Sequence, residues 1–201
     1  SAEDAATPTA DAFMSSLITP SIEYRESVLA GVAEFLTEGR LDSTYTLCLG
    51  YTIGTLNDKF PQFVIDLQAL ADVEQSGAQY ADRVFWLVDD GEYIGQSSIR
   101  PDLCTPYLLT YGGHIGYSIR PSQRRLGYGK TILALTLDAA RTMELKRVLV
   151  TCDSDNTSSR KIIEHNGGRF ESAMSMTART FRTEGRKSSH PIDKLRYWID
   201  L

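Results

Sequence analysis

The stretch Ile119-Arg120-Pro121-Ser122-Gln123-Arg124-Arg125-Leu126-Gly127-Tyr128-Gly129-Lys130 decides how this chain is read. The apolar run before it, Ile115 to Ile119, reads as a strand. Pro121 ends that strand, because proline has no N–H to give to a ladder. A helical pattern follows, from Thr131 to Met143. Strand, basic glycine turn and helix form an arrangement in which a backbone can cradle phosphate. Glycine lets the main chain turn sharply and come close to a ligand. The free N–H groups of the first helical turn point at the anion, and the helix dipole favours negative charge there. Arg124, Arg125 and Lys130 add formal charge.

Other readings of the turn can be weighed by spacing. A G-x-G pair also suits a plain tight turn with a solvated basic flank. Gly129-Lys130-Thr131 has the tail of a P-loop, but that motif needs glycine where Arg124 stands. A dinucleotide fingerprint would need glycine at Ile132.

The spacing Arg124-x-x-Gly127-x-Gly129 resembles the pyrophosphate loop, [QR]-x-x-G-x-[GA], of the GNAT superfamily of acyl-CoA-dependent N-acyltransferases. The flanks agree. A second strand spans Arg147 to Asp153, and Asn156 with Ser159 supplies the start of a second helix. The run Gly112-Gly113-His114-Ile115-Gly116-Tyr117, with Asn166-Gly167-Gly168 and Arg196-Tyr197-Trp198-Ile199, is similar to one subgroup of acetyltransferases in that superfamily. The resemblance is dense from Trp86 to Gly168 and thinner before it.

The resemblance implies an α/β (α+β) fold in one domain, residues 15–201, with residues 1–14 a loose arm or appended remnant. Its sheet would be mixed and mostly antiparallel, with a splayed parallel central pair and helices on both faces. The implied activity is acetyl-CoA-dependent transfer of an acetyl group to a primary amine by direct attack in a ternary complex. The alternative is a non-catalytic acyl-CoA binder or sensor. Ser118, Ile119, Arg124, Arg125, Leu126, Gly127, Tyr128, Gly129, Lys130, Asn156 and Ser159 are the expected cofactor contacts. Backbone near Tyr117 to Ile119 would polarise the thioester oxygen. Many relatives carry a tyrosine acid seven positions past the Asn, and Ile163 stands there in this chain. Tyr117, Tyr111 and Tyr197 are the candidates to replace it. His114, at the head of the central strand, is the expected base, since its ordinary pKa of about 6.5 suits that role; a hydrogen-bonded strand-end histidine is the competing reading. Glu92 is a weaker base candidate. Cys152 reads as a small buried residue, and Arg160 and Lys161 as solvated helix charges.

Bulk properties narrow the classes. The chain has 201 residues and 42% apolar residues, enough for one domain with a core. It has no apolar run of transmembrane length, and Ser1 to Ala12 lacks the basic head and apolar centre of a signal peptide. Three separated cysteines, Cys48, Cys104 and Cys152, without a C-x-x-C pair suggest free thiols in a reducing, cytoplasmic compartment. His114, His165 and His190 lack metal-ligand spacing, so no metal is expected. Residues 1–113 hold 5 Lys/Arg and 17 Asp/Glu, and residues 114–201 hold 16 and 9. A chain of net charge −5 is a poor general nucleic-acid binder, while its basic half suits an anion such as coenzyme A. A small-molecule or peptide amine, no nucleic acid, no membrane, and a monomer or homodimer are the expected partners and state.

Periodicity places the other elements. Tyr24 to Leu36 reads as a helix with Ser21 as N-cap and Gly39 past its end, and Asp58 as the cap of a second helix through Ala71. Residues 40–57 resist assignment. Val84–Val88 and Tyr93–Ile99 form a hairpin around Asp89-Asp90-Gly91. Leu108–Tyr111 is ambiguous, Arg169–Thr177 and Lys194–Ile199 read as strands, and Thr180–Ser189 as a polar loop.

Overall fold

A computed structural model describes residues 15–175 and 192–201. The expected arm at 1–14 and the polar loop at 180–189 lie outside the described residues.

One seven-stranded sheet runs in the order β1-β2-β3-β4-β5-β7-β6. Its strands are β1 (Ser16–Ile18), β2 (Arg83–Asp89), β3 (Glu92–Ile99), β4 (Ile115–Ile119), β5 (Arg147–Asp153), β6 (Arg169–Ser175) and β7 (Asp193–Asp200). All neighbours are antiparallel except β4 and β5. The mixed sheet with one parallel central pair is the architecture the sequence implies. β2 and β3 join through Asp90 and Gly91, both at positive φ (47° and 74°), the conformation a two-residue hairpin turn demands. β1 lay beyond the sequence reading, because three residues carry too little alternation to register.

Helices cover both faces. One face carries α1 (Arg25–Thr37), α2 (Ile53–Asp58), α3 (Phe60–Ala69) and the short α4 (Val73–Ser76). There Val28, Val32, Phe60, Phe63 and Leu67 bury against Val84, Trp86, Val88 and Tyr93. Trp86 meets the edge of Tyr93 at 5.7 Å, a favoured aromatic geometry. The second face carries α5 (Tyr128–Thr142) and α6 (Thr157–His165). Leu133, Leu137, Ala140 and Ile163 pack there on Ile115, Val148, Val150 and Cys152.

Two sequence expectations are corrected. Asp58 ends α2 instead of capping α3, whose N-cap is Lys59. α2 starts within the unassigned stretch, at a reciprocal capping box between Thr52 and Thr55. Pro61 sits in the first turn of α3, where its missing N–H costs nothing, so the chain restarts a helix there. Ser21 caps the short turn Ile22–Tyr24, and α1 proper begins at Arg25.

Candidate active site

The site grows from how β4 leaves β5. The parallel pair has a single register contact, Ile115 with Val150. Beyond it the strands diverge. On its other side β4 stays fully paired with β3, from Ile99–Ile115 to Gly95–Ile119. Main-chain bonds between Arg100 and His114 and between Arg120 and Ile94 set the alternation of that ladder. The N–H and C=O of Tyr117 and Ile119 therefore point towards the gap. The Ile119 carbonyl accepts from Arg124 Nε at 3.1 Å.

Two features hold the strands together below the gap. Gly113 adopts φ +70°, and a Cβ there would lie 2.6 Å from the Leu149 carbonyl oxygen. His114 then donates its N–H to that oxygen at 2.8 Å and accepts the Leu149 N–H on Nδ1 at 2.9 Å. The imidazole replaces a ladder bond. It is buried, and its edge meets the Trp198 ring at 5.9 Å. With Nδ1 accepting, the proton of the neutral ring sits on Nε2, so neither nitrogen keeps a free lone pair. Burial pushes its pKa down to about 4, against a smaller opposing pull from Asp102, with Arg100 and Arg147 lowering it further. Where strand-head position suggests a base, this geometry supports the hydrogen-bonded reading.

A pH dependence follows. The unfolded imidazole takes a proton near 6.5 and the folded one only near 4. Stability is therefore full above 6.5 and falls as pH drops through that window. Between pH 7 and pH 5 the loss due to His114 should be about 2 kcal/mol. Urea denaturation of wild type and His114→Gln at both pH values measures it. An identical pH slope in the two proteins would remove the imidazole as the cause.

The glycine turn begins α5 on the second face. Arg125 and Gly127 both take positive φ, 65° and 95°. Lys130 N–H bonds the Gly127 carbonyl at 2.9 Å. The N–H groups of Arg125, Leu126, Gly127, Tyr128 and Gly129 take no hydrogen-bond partner among the described residues. Five successive unpaired amides at a helix start make an anion cradle. Gly129 also sets how closely two helices approach. A Cβ there would lie 2.4 Å from Ile162 Cδ1, so α5 and α6 touch at this point.

The side chains of the turn divide. Arg124 is committed to Glu38, the C-cap of α1, through two bonds of 2.5 and 2.8 Å. Arg125 and Lys130 are exposed, with no ion pair among the described residues, and Leu126 is exposed too. The Tyr128 hydroxyl donates to Asp89 at 2.7 Å. Ser118 Oγ donates to the Ser43 carbonyl at 3.0 Å. Asn156 caps α6 by accepting the Ser159 N–H at 3.0 Å.

Across the gap, the Tyr117 hydroxyl and Ser159 Oγ lie 2.8 Å apart. Burial raises the phenol above its ordinary pKa, a trend the Ser159 bond only partly offsets. Cys152 lies beside it on β5; burial pushes its thiol up to about 11, so it is no ready nucleophile. Ile163 is fully buried among the core residues under α6. Tyr197 is buried and reaches Glu164, and the Tyr111 hydroxyl donates to the Ser175 carbonyl on the opposite face. Of the three replacement acids, only Tyr117 stands on the strand that borders the gap. Glu92 pairs with Ser27 and Arg120 at the hairpin end, and Arg160 pairs with Glu164.

Sequence reading passed over two residues that shape the turn. Glu34 of α1 accepts from Arg120 Nη2 at 2.6 Å and from the N–H and Oγ of Ser122, both at 2.9 Å. Burial works against its charge, but these donors outweigh it and hold its pKa below the usual range. The bonds from Arg124 do the same for Glu38. Both carboxylates follow one helix face four residues apart, the only signal the sequence offers. The acidic first half and basic second half thus meet at this turn.

Among the described residues no cluster of His, Cys, Asp or Glu could hold a metal ion, and no helix is long and apolar enough to cross a membrane. An open strand edge thus lies beside an unpaired helix N-terminus. The model of the acetyltransferase (GNAT) domain matches residues 60–169, more than half the chain, and the chain belongs to that family. A comparison with curated proteins finds no match. Solved structures share the fold. The microcin self-immunity acetyltransferase MccE, solved with acetyl-CoA and AMP, is 16% identical over 92% of this chain and 91% of its own, with a TM-score of 0.61. RimL, a ribosomal alpha-N-protein acetyltransferase solved with coenzyme A, is 15% identical over 92% and 93%, with a TM-score of 0.60. An acetyltransferase from Salmonella typhimurium that modifies the N-terminal serine of a ribosomal protein is 17% identical over 92% and 94%, with a TM-score of 0.58.

Proposed function

We propose that this protein transfers the acetyl group of acetyl-CoA to a primary amine, in a ternary complex and without an acyl-enzyme. The observation that carries this reading is the adjacency of the open β4 edge and the five unpaired amides from Arg125 to Gly129. Acetyl-CoA supplies the activated acyl group. The amides at the start of α5 would hold its diphosphate, with Arg125 and Lys130 adding charge. The gap-facing N–H and C=O of Tyr117 and the N–H of Ile119 would pair with the amide-rich arm, as an added strand does. An N–H there would also stabilise the oxygen on which charge develops.

The cradle lies on the α5–α6 face, so the amine would approach from the opposite face and attack the carbonyl directly. Orientation supplies much of the rate. Tyr117 is the group we assign to protonate the departing sulfur; a raised pKa keeps its proton in place at neutral pH. The occupied Nδ1 of His114 favours loss of the ammonium proton to solvent over loss to this ring. Cytoplasmic residence accords with three cysteines free of disulfides. MccE and RimL, both named as acetyltransferases, support the reaction class.

The buried Ile163 favours a second reading, a binder that kept the cradle and lost its acid. Two measurements separate the readings. Coenzyme A at a hundredfold excess over Kd should raise Tm by roughly 5–10 °C, and ATP should raise it far less. Thiol release from acetyl-CoA should then appear with at least one member of a panel of primary amines. A coenzyme A shift with no thiol release selects the binder, and no shift removes both readings.

A further inference from the structure

The segment just before β4 is held in an unusual way. Leu108–Gly112 forms a single wide helical turn, and its end reaches Gly113. Five successive carbonyls there accept hydrogen bonds from side chains of three different strands or strand ends. Arg196 of β7 donates to the carbonyls of Leu109 and Thr110. Thr151 Oγ1 of β5 donates to that of Tyr111 at 2.6 Å. Arg100, just past β3, donates to those of Gly112 and Gly113, both at 3.2 Å. Each guanidinium has its own counter-ion: Glu171 lies 2.7 Å from Arg196, and Asp82 lies 3.5 Å from Arg100.

The two arginine side chains are only 10% and 15% exposed. Taking guanidinium groups out of water is costly even when paired. A surface turn does not need them, because water satisfies exposed carbonyls without any such cost. One side chain of the segment, Leu108, is fully buried, while the next, Leu109, is 51% exposed. Burial of that single leucine anchors the turn but does not account for five bonded carbonyls. The position of the turn does. Thr151 follows Val150, the β5 residue that pairs with β4, and Gly113 lies two residues before Ile115, its partner on β4. The turn forms the lip of the gap on the face opposite the anion cradle.

We propose that Arg196, Thr151 and Arg100 are positioning residues: they fix the turn Leu109–Gly113 as the rigid acceptor-side wall of the gap and thereby set how the amine is aimed. This rests on the acetyl-transfer reading above. A wall misplaced by an ångström misaligns the amine, whereas the cradle on the far face is untouched.

The test compares wild type with Thr151→Val and Arg196→Lys. The first removes one hydroxyl at constant volume. The second keeps the charge beside Glu171 but cannot fork to two carbonyls. The amines are phenethylamine, spermidine and a hexapeptide with a free N-terminal serine. Both variants should raise KM for any amine that wild type uses by about tenfold, leave coenzyme A Kd within about twofold, and speed amide exchange at residues 109–113. An unchanged amine KM, or a coenzyme A Kd that weakens in step, overturns the proposal. If wild type acetylates none of the three, the transfer reading is at fault. The wall is then judged on the other two arms: faster exchange with intact coenzyme A binding supports it, and unchanged exchange or lost coenzyme A binding overturns it.

Discussion

Replacing Tyr117 with phenylalanine should lower kcat for acetyl transfer by about 100-fold, the usual scale of a lost general acid. Coenzyme A affinity should stay within about twofold, because the gap-facing contacts of residue 117 are main-chain groups. The phenol exchanges a hydrogen bond with Ser159 Oγ at 2.8 Å, and loss of that bond should cost stability only about 1 kcal/mol. Burial holds the phenol above its ordinary pKa of 10, so the wild-type rate should show no alkaline fall below about pH 9. Single-turnover thiol release from acetyl-CoA, followed from pH 6 to 9, reads both effects. A rate that survives in Tyr117→Phe would mean that the sulfur leaves as thiolate or through water, and the acid assignment would fall.

Gly113→Ala should destabilise the fold by about 3 kcal/mol or more. Two costs add. The residue sits at φ +70°, ψ −174°, a region that side chains avoid. The new Cβ would stand 2.6 Å from the Leu149 carbonyl oxygen, a main-chain atom that cannot swing aside. That oxygen accepts the His114 N–H, so relief of the clash would break the junction that sets the gap. Gly127→Ala is the control. It has φ +95° but nothing within 4 Å of the new Cβ, so only conformational strain remains, about 1–2 kcal/mol. Urea denaturation measures both variants. Equal losses would show that the contact with Leu149 contributes nothing.

These glycines differ in how far they can be read ahead of the fold. Gly127 and Gly129 stand out in sequence because spacing and basic neighbours mark them. Gly113 does not, since the atom it must avoid lies on a strand 36 residues away. Gly129 was legible as a turn residue, but its close approach to Ile162 depends on how two helices meet. The strands Ile115–Ile119 and Arg147–Asp153 were legible to the residue because each is a dense apolar run closed by a breaker. α2 was missed because its six residues lack a full apolar period, and Asp58 looked like a cap for the helix after it. For the site residues, type and spacing marked the glycine turn whose amides the structure leaves unpaired among the described residues. They could not say that Arg124 spends its charge on Glu38, or that the His114 lone pair is taken.

By itself the sequence determined the family, the order of the elements from β2 to α6 and the glycine turn that opens α5. All three depend on contiguous residues whose backbone preferences and spacing act locally. Tertiary structure alone decided which side chains are free to act. Tyr117 and Ser159 lie 42 residues apart, Thr151 and Tyr111 lie 40 apart, and Arg120 and Glu34 lie 86 apart. Chain closure on that scale is set by packing two helical layers onto one sheet, and no local pattern encodes which partners it brings together.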